Sequence, residues 1–379
     1  MRIATLGNAA VVHTQRWVET FRARGHEVAL WSLEPGPAAL GVRRLRHVPA
    51  PGFVRYPLTV PALREALRAF RPDVVDAHYV PNYGLMGALA GVRPLSVAAW
   101  GSDLLIAGRR DPLQRLRARY VLRRAALVMA DSGNLADAAR ALGARPGTVA
   151  AIPWGIDIGR FRPAVVREPG LLVSTRMHEP VYDIPVLINA LALLMAARPH
   201  LRLVLTGEGT QRAALERLAA RRLPAGRFTF AGRVSADEMA GLLGRAEVFL
   251  SASRSDSTSV SLLEAMASGA VPVVSDIDGN REWVADGEGA RLFPVGDPGA
   301  AARAIERTLD EPAWAEAARA RNREVILARG DAAVNMARVE ALFEALARGE
   351  PVDPAAAAET ARAVGPARPN AAARGGAAR

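Results

Sequence analysis

Two acids eight positions apart, Asp256 and Glu264, stand in the run 247–276, EVFLSASRSDSTSVSLLEAMASGAVPVVSD. The apolar residues 248–250 predict a buried strand. The hydroxyls of 255–259, Ser259 last among them, suit the free N–H groups of a following helix, and Gly269 suits its C-terminal cap. Such a helix start attracts anions, because unpaired amides and the helix dipole both favour negative charge there. Asp256 lies just ahead of that anion site and Glu264 lies within the helix. A phosphate would then be flanked by carboxylates that accept hydrogen bonds from sugar hydroxyls, which is the chemistry of a nucleotide-sugar pocket. Acids at this spacing also occur by chance on surfaces, so the reading leans on its surroundings.

The elements that must position these groups alternate strand and helix. In the first half, strands are expected at 2–6, 27–33, 73–78, 96–100, 127–131 and 148–152, with helices at 13–24, 60–70, 109–124 and 134–142. The pattern restarts with strands at 171–175, 201–206 and 228–231 and helices at 185–197, 211–221 and 236–245. Repeated β-α units predict an α/β protein of two Rossmann-like domains, with parallel sheets facing an interdomain cleft. The boundary is expected in FRPAVVREP, which supplies Pro and loses periodicity, giving domains 1–165 and 166–348. Helix 333–348 is the last expected element, and 349–379, rich in Ala, Pro and Arg, is read as a flexible tail.

Composition excludes several chemistries. The 379 residues contain no Cys, so disulfides, thiolate nucleophiles and Cys-ligated zinc are out, and a reducing compartment is expected. All 49 basic residues are Arg. Without Lys there is no pyridoxal-phosphate Schiff base, no P-loop lysine and no amine nucleophile. The six His residues are scattered and offer no local metal pattern. Of the net charge of +11, residues 1–165 carry +12 (23 Arg, 11 acids) and 166–379 carry −1 (26 Arg, 27 acids). Within 109–124, Arg115, Arg119 and Arg123 form one helical stripe, and Leu113, Leu116 and Tyr120 form another. That arrangement suits an anionic membrane surface or a solvated helix face. Few aromatics accompany the basic residues, so nucleic acid is not an expected partner. The chain opens directly on a strand and has no apolar run long enough to span a bilayer, so a cytoplasmic protein, peripheral on the inner face of the membrane, is expected.

Several separate segments over roughly 1–348 resemble the retaining glycosyltransferases of family 4, which have the GT-B fold. Asp256 and Glu264 resemble that family's acid-x7-acid motif, with Asp where Glu is more common. GNAAVVHTQRWVETFRARGHEVALWS is similar to its first strand, loop and helix, and DVVDAHYVPNYG places His78 where the family has a cleft histidine. WGIDIGRFRP resembles its interdomain segment, and LVLTGEGTQRAALERL and FTFAGRVSADEM resemble its Gly-x-Gly and Gly-x-Val segments at Gly207, Gly209, Gly232 and Val234. Two departures stand out. The family's Arg is followed about five residues on by Lys-Gly, whereas Arg176 here is followed by Val181, Tyr182 and Asp183. Trp100 also occupies a position where many relatives carry a cleft histidine.

The resemblance implies transfer of a sugar from a nucleotide-diphosphate sugar to an acceptor hydroxyl on an envelope glycolipid or polysaccharide precursor, with neither metal nor cofactor. Arg176 would neutralise the departing diphosphate, helped by Arg233 or Arg254. Asp256 would orient the donor sugar, and His13 and His78 would face the reacting groups. Gly7, Gly207, Gly209, Val234, Ser259 and Glu264 would bind the donor, with Glu264 on the ribose. A catalytically silent sugar-nucleotide or membrane-binding module is the alternative, and a nucleotide-sugar 2-epimerase fits the acid spacing and the Gly-Ile-Asp linker less well. Oligomeric state is not legible.

Overall fold

The computed structural model describes residues 1–45, 50, 52–107, 111–164 and 166–354. Contacts divide the chain into two compact units. Of the described residues, one comprises Met1–Gly155, the short segment Ser255–Thr258 and 330–354; the other comprises Ile156–Arg254 and Ser259–Arg329.

The first unit holds β1 (Arg2–Leu6), β2 (Glu27–Ser32), β3 (Arg43–Arg44), β4 (Val74–His78), β5 (Leu95–Ala98), β6 (Leu127–Ala130) and β7 (Val149–Ala151). They form one sheet in the order β3-β2-β1-β4-β5-β6-β7, parallel throughout. The second unit holds β8 (Leu171–Ser174), β9 (Arg202–Thr206), β10 (Phe228–Gly232), β11 (Val248–Ser251), β12 (Val271–Ser275) and β13 (Arg291–Phe293). Their order is β10-β9-β8-β11-β12-β13, again parallel throughout. In each sheet the strand order reverses once, between β1 and β4 and between β8 and β11. Loops leaving the carboxyl ends of those strand pairs part to opposite sides, which opens the crevice where ligands of such sheets bind.

Both sheets are covered on both faces, so their strands read as continuous apolar runs rather than alternating ones. Successive side chains nevertheless point to opposite layers. In β1, Ile3 packs in the layer of Trp17, Val18 and Phe21 from helix Val12–Ala23, whereas Ala4 and Leu6 pack in the layer of Leu63, Leu67 and Phe70 from helix Val60–Phe70. In β11, Val248 and Leu250 meet Leu187 and Leu191 of helix Ile184–Leu194, and Phe249 meets Leu262 and Met266 of helix Val260–Ser268.

The final helix, Ala332–Ala347, counts with the first unit, whereas the sequence assigned it to 166–348. Its Met336, Val339, Leu342 and Phe343 join the layer of Trp17 and Phe21, and the Phe21 and Phe343 rings stack at 5.4 Å. Glu340 accepts from Arg24 Nε at 2.7 Å and lies 2.6 Å from His26 Nε2. The first stretch of the first unit ends at Gly155, ahead of the Pro-rich stretch expected to mark the boundary. The part of the expected tail from 355 to 379 lies outside the described residues. Among the described residues no helix is long and apolar enough to cross a membrane.

Candidate functional site

In the second unit, the reversal point between β8 and β11 gathers Arg176, Ser259 and the Gly-x-Gly segment. Arg176 follows β8 and is buried, with 7% of its surface exposed. Its Nη1 donates to Ser259 Oγ at 2.6 Å, and its guanidinium carbon lies 4.2 Å from the Tyr182 ring centre. Ser259 caps helix Val260–Ser268, its Oγ accepting from the Leu262 N–H, and Gly269 closes that helix in the left-handed conformation. A buried guanidinium is thus bonded to the cap of a helix start, which concentrates positive potential where a diphosphate would sit. Glu264 projects from the same helix and is also buried.

The loops after β8, β9 and β10 are stitched together by backbone. Gly207 N–H donates to Gly232 O at 2.7 Å, and His178 N–H donates to Glu208 O at 2.9 Å. Gly207 has φ +96, and a Cβ there would sit 3.0 Å from Arg176 O; one at Gly209 would sit 2.5 Å from His178 O. The Gly-x-Gly segment therefore holds up the Arg176 loop by close backbone approach. Val234 is half-buried, immediately ahead of Ser235, which caps helix Ala236–Arg245. The position of the missing family lysine is filled by the turn Pro180–Tyr182 and by Asp183, which pairs with Arg254 at 2.7 Å. Arg233 is exposed. His178 is buried against Phe230, and burial lowers its pKa, with the Arg212 charge adding to the shift.

In the first unit, the reversal point between β1 and β4 brings Gly7, His78 and His13 near one another. Gly7 is buried, and a Cβ there would meet Thr14 Cγ2 at 3.0 Å and His78 Cβ at 3.4 Å, so a side chain would crowd both neighbours. His78 ends β4 at 2% exposure. Its Nε2 lies 3.0 Å from Asp76 Oδ2 and its Nδ1 lies 3.4 Å from Thr14 Oγ1. His78 thus sits as an anchored side chain among Trp17 and Trp100, at ring distances of 5.2 Å to each. The next residue, Tyr79, is held at φ +69, a conformation costly for a side chain with a Cβ. His13 is exposed in the first turn of its helix and stacks on Trp100 at 5.3 Å. Trp100 lies past the end of β5, where Asp103 accepts from its N–H and from those of Val80 and Leu104. Burial pushes the Asp103 carboxyl up to about 6, against those three bonds.

Asp256 lies in Ser255–Thr258, which counts with the first unit although its chain neighbours on both sides count with the second. Its Oδ1 accepts from the Ser257 N–H at 3.1 Å and its carbonyl accepts from Asn134 Nδ2 at 3.1 Å. The sequence passed over the residues that seat this segment, Asp131, Ser132 and Asn134. Their signal was a polar turn, DSGN, at the carboxyl end of a strand.

Helix Pro112–Leu122 is capped by Asp111 and followed by Arg123. It buries Arg117, Ala118, Val121 and Leu122. Arg115, Arg119 and Arg123 are exposed, and so are Leu113 and Leu116. Charge and apolar groups therefore share one outward face. Arg109 and Arg110 lie outside the described residues.

Two parallel sheets, each covered by helices and each reversed once in strand order, define the GT-B architecture. The family model for glycosyl transferases group 1 matches residues 168–311, and the glycosyl transferase 4-like domain matches residues 8–155. The chain belongs to glycosyltransferase family 4.

Among its relatives is the phosphatidyl-myo-inositol mannosyltransferase of Mycolicibacterium smegmatis, 30% identical over 167 residues, which is 42% of each chain. The match therefore spans about two fifths of that relative's length. A GDP-mannose-dependent alpha-(1-6)-phosphatidylinositol dimannoside mannosyltransferase of Mycobacterium tuberculosis is 29% identical over 83% of this chain and 87% of its own. Among solved structures, sucrose-phosphate synthase from Thermosynechococcus elongatus has TM-score 0.80 at 19% identity, covering 91% of this chain and 99% of that one. HepE from Anabaena, in complex with UDP-glucose, has TM-score 0.78 at 18% identity, covering 91% of this chain and all of that one.

Proposed function

We propose that this protein transfers a sugar from a nucleotide-diphosphate sugar to a hydroxyl of a glycolipid, with retention at the anomeric carbon and without a metal or cofactor. The observation that carries the reading is the buried Arg176 guanidinium bonded to the cap of helix Val260–Ser268, with buried Glu264 on that helix. The bond from the anomeric carbon to the diphosphate breaks, and the acceptor oxygen bonds to that carbon from the same face. The acceptor proton passes to a departing diphosphate oxygen. Arg176 and the helix amides stabilise the charge that develops on the leaving group, an electrostatic contribution in place before reaction. Asp256 orients the donor sugar, Glu264 accepts from the ribose hydroxyls, and the carboxyl ends of the first sheet receive the acceptor. Relatives named for phosphatidylinositol acceptors and for GDP-mannose support the acceptor class and the type of donor.

The test is incubation of the protein with GDP-mannose or UDP-glucose and vesicles containing phosphatidylinositol, followed by NMR of the product's anomeric carbon. Retained configuration is expected; no product with any nucleotide sugar, or inversion, would refute the proposal. The second reading, a silent binding module, is favoured by Tyr182 filling the family's lysine position and by Arg254 being paired to Asp183. Such a module would bind nucleotide and release no sugar.

A further inference from the structure

The Asp256 segment is seated by the turn that follows β6. Asp131 Oδ2 accepts from Ser257 Oγ at 3.0 Å, and Asp131 O accepts from Thr258 Oγ1 at 2.6 Å. Asn134 Nδ2 donates to Asp256 O at 3.1 Å, while Asn134 Oδ1 accepts from Ser132 Oγ at 2.6 Å. Ser132 itself caps helix Gly133–Ala141, accepting from the Leu135 N–H, so the turn is fixed before it reaches the segment. The loop after β5 makes room: Gly101 has φ +93, and a Cβ there would lie 2.9 Å from Ser257 Oγ. Three successive residues, Asp256, Ser257 and Thr258, are therefore each bonded to one four-residue turn. These bonds reach the Asp256 carbonyl and the side chains of the two residues that follow it.

We propose that Asp131, Ser132 and Asn134 are positioning residues that fix the Asp256 carboxylate for the donor sugar. The proposal rests on the sugar-orienting role of Asp256 stated above. Positioning within a fraction of an ångström is what orientation-based catalysis demands, and the backbone that carries this carboxylate is held by three bonds to one turn. The turn supplies that rigidity through side chains that need not touch the substrate. Loss of the turn's bonds should therefore lower kcat with intact donor and spare binding of the nucleoside diphosphate, which lacks the sugar.

The experiment compares Asn134→Ala, Asp131→Ala, Asp131→Asn and Asp256→Ala in kcat, donor KM and affinity for GDP and UDP. Asn134 is half-buried, so its truncation leaves the core in place should Asp131→Ala fail to fold. Asn134→Ala and Asp131→Ala are expected to lower kcat about tenfold or more with nucleoside diphosphate affinity within about twofold. Asp131→Asn, whose amide oxygen still accepts from Ser257, should recover most of the rate. Wild-type kcat in Asn134→Ala and Asp131→Ala, alongside a loss in Asp256→Ala, would overturn the positioning role while leaving the role of Asp256 intact. Equal losses in Asp131→Asn and Asp131→Ala would overturn the part given to the Ser257 bond. Wild-type kcat in Asp256→Ala would remove the role of Asp256 and the proposal with it.

Discussion

The Arg176 guanidinium is held from two sides, by Ser259 Oγ and by the Tyr182 ring, so it stays in one orientation before any ligand arrives. Arg176→Ala should then cost about 3 kcal/mol of transition-state stabilisation, comparable to loss of one oriented donor, or roughly a hundredfold in kcat/KM. Undiminished kcat/KM in that variant would pass the role to Arg254, which would have to leave Asp183, or to exposed Arg233. Asp131 predicts a pH dependence. Burial, with a further push from the Asp256 charge, raises its carboxyl to about 8. A folded state that holds this proton when the unfolded chain has lost it is stabilised by acid, so the contribution is full below about pH 4 and is lost as pH rises through about 8. Wild type should therefore lose stability relative to Asp131→Asn across that window in urea titrations. A difference between the two that stays constant with pH would contradict the shift. At this scale the sequence pointed to Arg176, Ser259 and Glu264, and the fold gathers Arg176 and Ser259 at one reversal point, with Glu264 on the helix that Ser259 caps. What it could not show is how closely His78 and Gly7 are packed, since burial and their neighbours Thr14 and Asp76 come from distant parts of the chain.

Helix Pro112–Leu122 turns Arg115, Arg119 and Arg123 outward together with Leu113 and Leu116, the composition of a face that lies on a charged lipid surface. Each Arg near an anionic membrane contributes about 1 kcal/mol, so replacing all three with Gln should weaken vesicle binding by a few kcal/mol and leave the fold intact. Salt should weaken it too, since exposed charges are screened within about 10 Å at 0.1 M. Co-sedimentation that ignores lipid charge, or that survives the triple substitution, would leave the helix a solvated face. Periodicity found this helix and most strands. It could not show that Leu113 and Leu116 face outward while Arg117 is buried, because that depends on which side meets the sheet. Two strands of two and three residues, β3 and β13, are too short to carry a period and went unread. The long helices Pro298–Asp310 and Pro312–Arg329 were missed as well; the first does carry an apolar face through Ala301, Ala304 and Ile305, whereas the second is rich in Ala and Arg with weak apolar contrast.

At the scale of the whole molecule, the doubly wound order of each sheet followed from repeated β-α units, because short right-handed crossovers leave few other arrangements. Chain order could not reveal that the last helix returns to the first unit, since the evidence for it is a contact between Phe343 and Phe21 more than three hundred residues apart. Nor could it show that Asp256, Ser257 and Thr258 are bonded to Asp131 and Asn134. The proposed division of labour gives Glu264 the ribose and Asp256 the sugar, so the two acids must respond differently to a ligand that lacks the sugar. The most direct test titrates GDP and UDP calorimetrically into wild type, Asp256→Ala and Glu264→Ala, alongside turnover of the intact donor. The account predicts that Glu264→Ala weakens nucleoside diphosphate binding about tenfold and slows turnover, and that Asp256→Ala binds within about twofold of wild type yet loses turnover. Binding and turnover equal to wild type in both variants would contradict it.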